Sequence, residues 1–286
     1  MASDNQIRYQ KCSEVEDRFI HQAFQMGFSD YIIKMEMSFE DFMKRFFGPE
    51  GNSRENSFIA FDQEEPVGVI LGGMKNFETV KTMRCGTLAI HPNYRGKGIS
   101  QRLCELHKEE AIHHGCKQLF LEVIVGNDRA IHFYQKRGYE KIYDIVYFSN
   151  EDLSQIKRTN TEIEVTRTEF QSFRRAAEKW TYHINWQNDL DYLEKVDRNI
   201  YYHALVEGKV AGCMAINPSG NISFLMVDPA QRGKGIGSQL LQTAIQELNL
   251  SRMSTGFPNN SLLEGFFKKQ GFKKGTLTQY EMYSPL

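Results

Sequence analysis

The sequence predicts a mixed α/β (α+β) protein built as two tandem domains, and three observations predict it. A glycine-rich phrase, Leu88-Ala89-Ile90-His91-Pro92-Asn93-Tyr94-Arg95-Gly96-Lys97-Gly98-Ile99-Ser100, returns as Leu225-Met226-Val227-Asp228-Pro229-Ala230-Gln231-Arg232-Gly233-Lys234-Gly235-Ile236-Gly237. Around each copy, apolar periodicity places strands and helices in the same order, as an internal repeat requires. At 286 residues, 41% apolar and 25% charged, the chain has the material for two ordinary cores. The domains are expected at 1–150 and 162–286, with a polar, aperiodic linker at 151–161.

In the first half, residues 7–12 alternate weakly as a strand. Residues 15–47 carry Phe19, Ile20, Phe24, Ile33, Met37, Phe42 and Phe46 on helical faces, interrupted at Gly27-Phe28-Ser29-Asp30, so two short helices are expected. The polar stretch 48–56 reads as a loop, and 58–61 with 67–71 as a hairpin. Strand 82–90 enters the glycine loop, and helix 99–114 leaves it and stops at Gly115. Residues 118–125 are nearly all apolar, as in a central strand covered on both faces. Asn127 offers an N-cap to a helix ending at Gly138, and strand 139–148 follows.

From Ile163 the order begins again, with a strand, helices interrupted near 181–187, strands 201–206 and 210–216, and strand 222–227 into the second loop. The next helix carries Leu240, Leu241, Ala244, Ile245 and Leu248 on one stripe. A short strand near Met253, a helix at 261–270 closed by Gly271, and a strand at 272–283 complete the repeat.

Composition narrows the partners. A net charge of −1 lacks the basic excess of a general nucleic-acid binder. Five cysteines without C-x-x-C spacing fit a reducing, cytoplasmic setting. The first residues lack a basic start with an apolar run, and no stretch of about 18 apolar residues could span a bilayer, so neither a leader nor a membrane is expected. His113, His114 and Cys116 cluster without zinc spacing, and no metal is expected.

The two loops are where chemistry concentrates. A strand-loop-helix junction exposes unpartnered N–H groups and a partial positive charge, which suits a phosphate. Gly96 and Gly98 permit backbone angles closed to other residues, and Arg95 and Lys97 add charge at the rim. An ordinary tight turn with solvated basic residues is the alternative, which duplication makes harder to sustain. A P-loop would need Ser or Thr after its lysine, but Gly follows both Lys97 and Lys234. A G-x-G-x-x-G fingerprint would need glycine where Gln101 and Ser238 stand.

These residues resemble the GNAT superfamily of acyl-CoA N-acyltransferases, whose phosphate loop reads Arg or Gln, two residues, Gly, one residue, then Gly or Ala. Arg232-Gly233-Lys234-Gly235-Ile236-Gly237 fits throughout, and the first loop departs only at Ser100. The later signature is matched by Asn127, Phe133, Tyr134, Gly138 and Tyr139, and in the second half by Asn260, Phe266, Phe267, Gly271 and Phe272. The resemblance implies two tandem domains, each a splayed, mixed, mostly antiparallel sheet flanked by helices, with acetyl-CoA in the gap. The pantetheine arm would pair with Ala89 and Ile90 or with Met226 and Val227. The pyrophosphate would sit on Arg95, Gly96, Lys97, Gly98, Ile99 and Ser100, or on Arg232, Gly233, Lys234, Gly235, Ile236 and Gly237, with Asn127 or Asn260 beside the arm. Tyr134 would protonate the departing thiolate.

The implied reaction is acetyl transfer to a primary amine of a small molecule or peptide, by a monomer that is its own pseudo-dimer or by a homodimer. Tyr134 could instead be a helix aromatic packed beside Phe133. Glu122, a carboxylate among apolar residues on a central strand, is a candidate base, or a strand glutamate held by an arginine. His91 reads as a loop histidine. Asp30, Tyr31 and Glu36 could meet a cationic acceptor or be solvated surface. In the second half Phe267 cannot donate a proton. That half then binds without turnover, or a hydroxyl such as Tyr280, or water, replaces the tyrosine. Trp180 and Trp186 wall a pocket there or pack a core. A non-catalytic acyl-CoA sensor, or catalysis in the second half, are the competing readings.

Overall fold

The computed structural model describes residues 7–156 and 163–286. Contacts divide the chain into a first unit, Met1–Ile142 with Tyr280–Leu286, and a second, Tyr143–Gln279. The first half runs β1 (Arg8–Lys11), α1 (Asp17–Gly27), α2 (Phe39–Phe46), β2 (Asn52–Asp62), β3 (Glu65–Phe77), β4 (Val80–Ile90), α3 (Ile99–His113), β5 (Gln118–Ile124), α4 (Asp128–Gln135) and β6 (Glu140–Asn150). The second runs β7 (Glu164–Thr168), α5 (Phe170–Ala177), α6 (Leu190–Glu194), β8 (Ile200–Val206), β9 (Lys209–Ile216), β10 (Asn221–Val227), α7 (Ile236–Leu248), β11 (Met253–Pro258), α8 (Ser261–Lys269) and β12 (Lys273–Pro285).

The first unit's sheet has the order β1-β2-β3-β4-β5-β12, and the second unit's the order β6-β11-β10-β9-β8-β7. Strands β1 to β4 are antiparallel in sequence and β4 with β5 is parallel. Likewise β7 to β10 are antiparallel and β10 with β11 is parallel. In the first unit, Ile20, Phe24, Phe42 and Phe46 of α1 and α2 pack on Ile59, Val69, Leu71 and Ala89. On the opposite face Ile99, Leu103 and Ala111 of α3 and Tyr134 of α4 pack on Ala60, Ile70, Met83 and Leu121. The second unit repeats the layering, with Phe173 and Leu193 over Cys213 and Phe224 on one face, and Leu240, Leu241 and Phe267 over Met214 and Ile222 on the other. Each such buried side chain contributes about 1.5–3 kcal/mol, which makes these two stripes per unit the main source of stability.

Two local expectations are corrected. The polar stretch 48–56 is not all loop, because β2 begins at Asn52, whose buried Nδ2 donates to the Phe46 carbonyl at 2.8 Å, and just beyond it Ser57 Oγ accepts the Gly72 N–H at 3.0 Å. Strands β3 and β4 also extend to a tight turn at Glu78 and Thr79, both with positive φ. Such a turn is usually signalled by Asn-Gly, which is absent here. Of the stretch read as a linker, 157–161 lies outside the described residues. Before it, a short 3-10 turn at Leu153–Gln155 buries Leu153 and Ile156 in the second unit's core.

Candidate active site

The site in each unit begins where two parallel strands part. Strands β4 and β5 pair only through Thr82–Arg84 and Gln118–Phe120, although β4 runs to Ile90 and β5 to Ile124. In the second unit β10 and β11 pair only at Asn221–Ile222 with Ser254–Thr255, then separate. The free edge of β4 is set by its pairing with β3. Gly68 faces Ile90 while the His91 N–H donates to the Val67 carbonyl at 2.9 Å. Ile90 is therefore in a non-hydrogen-bonded pair, and its own N–H and C=O point into the gap, whereas those of Ala89 point toward β3. The Asp228 N–H on Ala211 at 2.9 Å sets Val227 the same way.

A bulge precedes each gap. Thr87 pairs with Leu71 and Cys85 with Gly72, which leaves Gly86 extra, and a Cβ there would lie 2.2 Å from Asn52 Oδ1. The extra residue reverses the alternation, so that Met83 and Cys85 and then Ile90 and Leu88 all face α3, while Ala89 faces α1. Ala89 in turn leaves no room at Gly27, where a Cβ would be 2.6 Å from its own. Ser223 is the corresponding extra residue in β10.

The glycine loops have matching backbones. Gly96 and Gly98 have φ of 78° and 82°, and Gly233 and Gly235 of 81° and 88°. Gly98 and Gly235 are the N-caps of α3 and α7, and no side chain caps either helix. Their first-turn N–H groups are thus available to an anion. A Cβ on Gly96, Gly98 or Gly233 would meet nothing within 4 Å, so glycine there answers to the left-handed angle and to an open cradle rather than to packing. Gly237 differs, because a Cβ there would lie 2.8 Å from the Phe266 ring.

The basic residues at the rim are not equivalent. Arg95 donates from Nε to the Ile90 carbonyl (3.1 Å), from a terminal nitrogen to the Gly27 carbonyl (3.1 Å), and to both oxygens of Asp30 at 2.5 and 2.6 Å. It braces the loop against the end of α1, and its hydrogen bonds hold the Asp30 carboxyl below the usual range. Arg232 makes the strand contact, Nε to Val227 at 3.3 Å. Lys97 lies 4.5 Å from the centroid of the Tyr94 ring and Lys234 donates to Gln231 at 2.8 Å. His91 is a cap, its Nδ1 accepting the Asn93 N–H at 3.1 Å, as Asp228 accepts that of Ala230 at 2.9 Å.

A cleft of about 570 Å³ opens in the first unit between Phe28, Asp30, Tyr31 and Ile32 after α1, Leu88 and Ile90 of β4, the loop with Ile99 and Ser100, and Asn127, Phe133 and Tyr134 of α4. Asn127 caps α4 by accepting the Ala130 N–H at 3.3 Å and reaches Tyr31 at 3.4 Å. Tyr134 is buried in the same core cluster as Cys85, with Phe133 and Tyr139 edge-on at 5.3 and 5.6 Å. Burial first, then the neighbouring thiols, keep this phenol protonated far above its ordinary range.

Glu122 lies outside the cleft. With 4% of its side chain exposed, it accepts from Arg84 Nε at 2.8 Å, while Arg84 also donates to Glu50 at 2.8 Å. One guanidinium serves two carboxylates. Burial pushes Glu122 up to about 7 against the pull of Arg84, whereas Arg84 and Arg45 hold Glu50 below its usual range.

The second unit's cleft, about 650 Å³, is lined by Trp180, Leu225, Val227, the loop from Arg232 to Ser238, and Leu262, Leu263 and Phe266. Asn260 caps α8, accepting from Leu262 and Leu263 at 3.1 and 3.2 Å. Met226 packs on the other face with Phe173. Phe267 is buried between Phe257 and Phe272. Tyr280 is no substitute for the missing hydroxyl there, since the end of β12 belongs to the first unit, where Tyr280 packs on the core. Trp186 is buried, so only Trp180 lines the cleft. Among the described residues no group of three His, Cys, Asp or Glu could hold a metal. Sequence reasoning missed Arg84, which engages Glu122, and Glu50, the second partner of that arginine.

Comparison with known proteins places this geometry. The acetyltransferase (GNAT) family profile matches residues 18–139 and an acetyltransferase (GNAT) domain profile matches 197–274. N-alpha-acetyltransferase 30 of Saccharomyces cerevisiae is 29% identical over 131 residues, 43% of this chain and 74% of that protein. An acetyltransferase of Sodalis glossinidius is 36% identical over 76 residues, 27% of this chain, which spans about half (51%) of that relative. A GCN5-related N-acetyltransferase from Sphaerobacter thermophilus shares the fold, with a TM-score of 0.70, 13% identity and coverage of 100% and 97%. So does a tandem GNAT protein from the clavulanic acid biosynthesis pathway, with a TM-score of 0.70, 14% identity and 98% of both chains. Two splayed sheets, two glycine cradles and two matched profiles make this chain a member of the GNAT acetyltransferase family with two GNAT domains in tandem.

Proposed function

We propose that the chain is an N-acetyltransferase that moves the acetyl group of acetyl-CoA to a primary amine, and that the first unit catalyses the transfer. One observation carries the reading: the Tyr134 side chain lines the cleft beside the uncapped glycine cradle, and Phe267 replaces it in the second unit. The donor supplies a thioester whose carbonyl carbon is the electrophile. The first turn of α3 with Gly96 and Gly98 takes its pyrophosphate, and the N–H of Ile90, aimed into the gap, meets the pantetheine arm or the carbonyl. Tyr134, kept neutral by its burial, holds the proton for the departing sulfur. Glu122 is engaged by Arg84, so we assign the amine's surplus proton to water instead.

The second unit has the same loop angles and a cleft of similar size, which supports binding of the donor there without turnover. The name of the yeast relative makes peptide α-amines the first acceptors to try. A cytoplasmic location fits the unpaired cysteines.

Release of free thiol from acetyl-CoA, measured against peptide N-termini and alkylamines, tests the reading. Tyr134→Phe is expected to lower kcat about 100-fold with donor KM within about 2-fold, as for a group acting only in the transition state. Undiminished turnover by Tyr134→Phe would move the chemistry elsewhere. Donor binding without turnover on any amine would favour a sensor.

A further inference from the structure

We propose that the second unit is a retention site for a short acyl thioester, acetyl-CoA rather than a longer acyl-CoA, held where an acceptor amine cannot reach it. The inference deepens, and rests on, the reading that this unit binds the donor without turnover. A second cavity carries it. Where β10 and β11 part, a space of about 40 Å³ has Trp180, Ile184, Leu225, Phe257, Leu263 and Phe267 among its walls. Trp180, Leu225 and Leu263 line the cleft as well, so the cavity continues the cleft into the gap. A single water needs about 10–15 Å³, so this space takes about three heavy atoms. That is the size of an acetyl group, and a chain of about eight carbons exceeds it.

The opposite side of the gap is where a nucleophile would have to enter. A donor on the glycine loop lies on the α7 and α8 face of the sheet, so an amine attacking its carbonyl comes through the gap from the α5 and α6 face. Segment 180–188 stands on that face. Trp180 and Ile184 pack there with Phe173 and Phe224, Trp186 is buried, and the His183 ring stacks on Tyr143 at 4.0 Å. Asn188 fastens the segment to the strand, its Nδ2 donating to the Gly256 carbonyl at 2.7 Å and to Asn185 Oδ1 at 2.9 Å. Gly256 follows the last pair between β10 and β11, and it stands where the first unit has Glu122. A Cβ there would lie 2.6 Å from the Tyr147 ring, so β11 offers backbone at this point and Asn188 takes it.

The first unit holds the corresponding segment differently. After α1, Asp30 binds Arg95 and Tyr31 meets Asn127, so residues 28–32 line the donor cleft itself. The counterpart of Arg95, Arg232, has the Tyr182 ring at 5.9 Å instead, and the chain beyond Tyr182 runs to the gap. Loss of the proton donor and loss of the approach therefore coincide, since Phe267 is itself a wall of the cavity. Core packing would explain the burial of Trp186, but not a side-chain amide spent on a strand carbonyl beside a cavity.

The test uses the full chain carrying Gly98→Glu, so that binding is read at the second unit. By calorimetry acetyl-CoA should bind with one equivalent and octanoyl-CoA at least about 10-fold more weakly, because the added methylenes have no room. Ile184→Ala, by enlarging the cavity, should bring the two within about 3-fold. Hydroxylamine then reports exposure of the thioester: its nitrogen bonds the carbonyl carbon, the C–S bond breaks, and the thiolate takes the proton that nitrogen sheds. With protein at about 100 times its Kd, bound acetyl-CoA should react at least about 10-fold more slowly than acetyl-CoA alone, and Asn188→Ala should recover most of that rate. Should Gly98→Glu fail to fold, Tyr134→Phe should show one protected and one reacting equivalent of bound donor. Reaction of bound acetyl-CoA at the unprotected rate, equal binding of octanoyl-CoA, or variants that move neither quantity would overturn the retention site and leave donor binding in place. Absence of any acyl-CoA binding would remove the donor reading of this unit, and the retention site with it.

Discussion

The two units agree in their backbones and disagree in their side chains. Both glycine loops hold the same left-handed angles, both helices after them start without a cap, and both fourth helices start on an asparagine. Each long helix is tied to its unit's first strand by an equivalent ion pair, Glu110 with Lys11 at 2.8 Å and Glu247 with Arg167 at 2.7 Å. A cradle made of N–H groups depends on φ and ψ, so it survives side-chain change. Proton delivery depends on one hydroxyl, so a single substitution removes it. The comparison therefore bears on the proposal that both units bind the donor and that only the first, with Tyr134, performs the chemistry.

The sharpest way to break that separation is to close one cradle at a time. Gly98→Glu and Gly235→Glu each force a side chain onto a left-handed residue and aim a carboxylate at the anion site. Like charges in contact cost several kcal/mol, which corresponds to about 1,000-fold weaker donor binding at the altered unit. Turnover should collapse in Gly98→Glu. Gly235→Glu should lose one donor equivalent by calorimetry and keep its rate within about 2-fold. Loss of turnover in Gly235→Glu alone would reverse the assignment of the units.

A second contrast lies beneath the cleft. Arg84, buried between Glu50 and Glu122, stands where the second unit has the exposed Asn221. Arg84→Met leaves two buried carboxylates without their guanidinium and should cost about 3–5 kcal/mol in urea unfolding, whereas Asn221→Ala should stay within about 0.5 kcal/mol. An Arg84→Met protein of unchanged stability would mean that Glu122 is not held by the guanidinium, and would restore it as a candidate base.

What was legible in the sequence was local. Apolar periodicity, Asn127 and Asn260 before their helices, and glycines at positions of positive φ are signals carried within a few residues, and they sufficed for the order of elements and both loops, while the splayed sheets followed only from the family resemblance. What was hidden depends on partners distant in the chain. Glu122 was visible as a carboxylate on an apolar strand, but the arginine that engages it lies 38 positions earlier and Glu50 a further 34. Tyr280 looked like part of the second repeat because nothing in its strand's alternation says which sheet its end joins. The turn at Glu78 and Thr79 was missed because neither residue is one that usually accepts positive φ.

The smallest expected effect sharpens the comparison inside the two long helices. His107 of α3 is buried where α7 has Ala244, and neither ring nitrogen has a hydrogen-bond partner. Burial, opposed only by Glu110, lowers its pKa from the ordinary 6.5 to about 4. Because the folded value is the lower one, the unfolded chain binds the extra proton between those limits. Stability is then complete above about 6.5, declines as pH falls through the window, and is lower by up to about 3 kcal/mol once pH passes below 4. His107→Leu removes both the titration and two unsatisfied nitrogens while nearly keeping the volume. It should raise stability at pH 7 by about 1 kcal/mol and flatten the first unit's decline between pH 6.5 and 4. Urea titrations at several pH values measure both quantities, and Ala244 needs no such substitution to be insensitive over that range. A pH slope unchanged in His107→Leu would place the acid-sensitive group elsewhere, with buried His203 of β8, whose pKa burial also lowers, as the next group to replace.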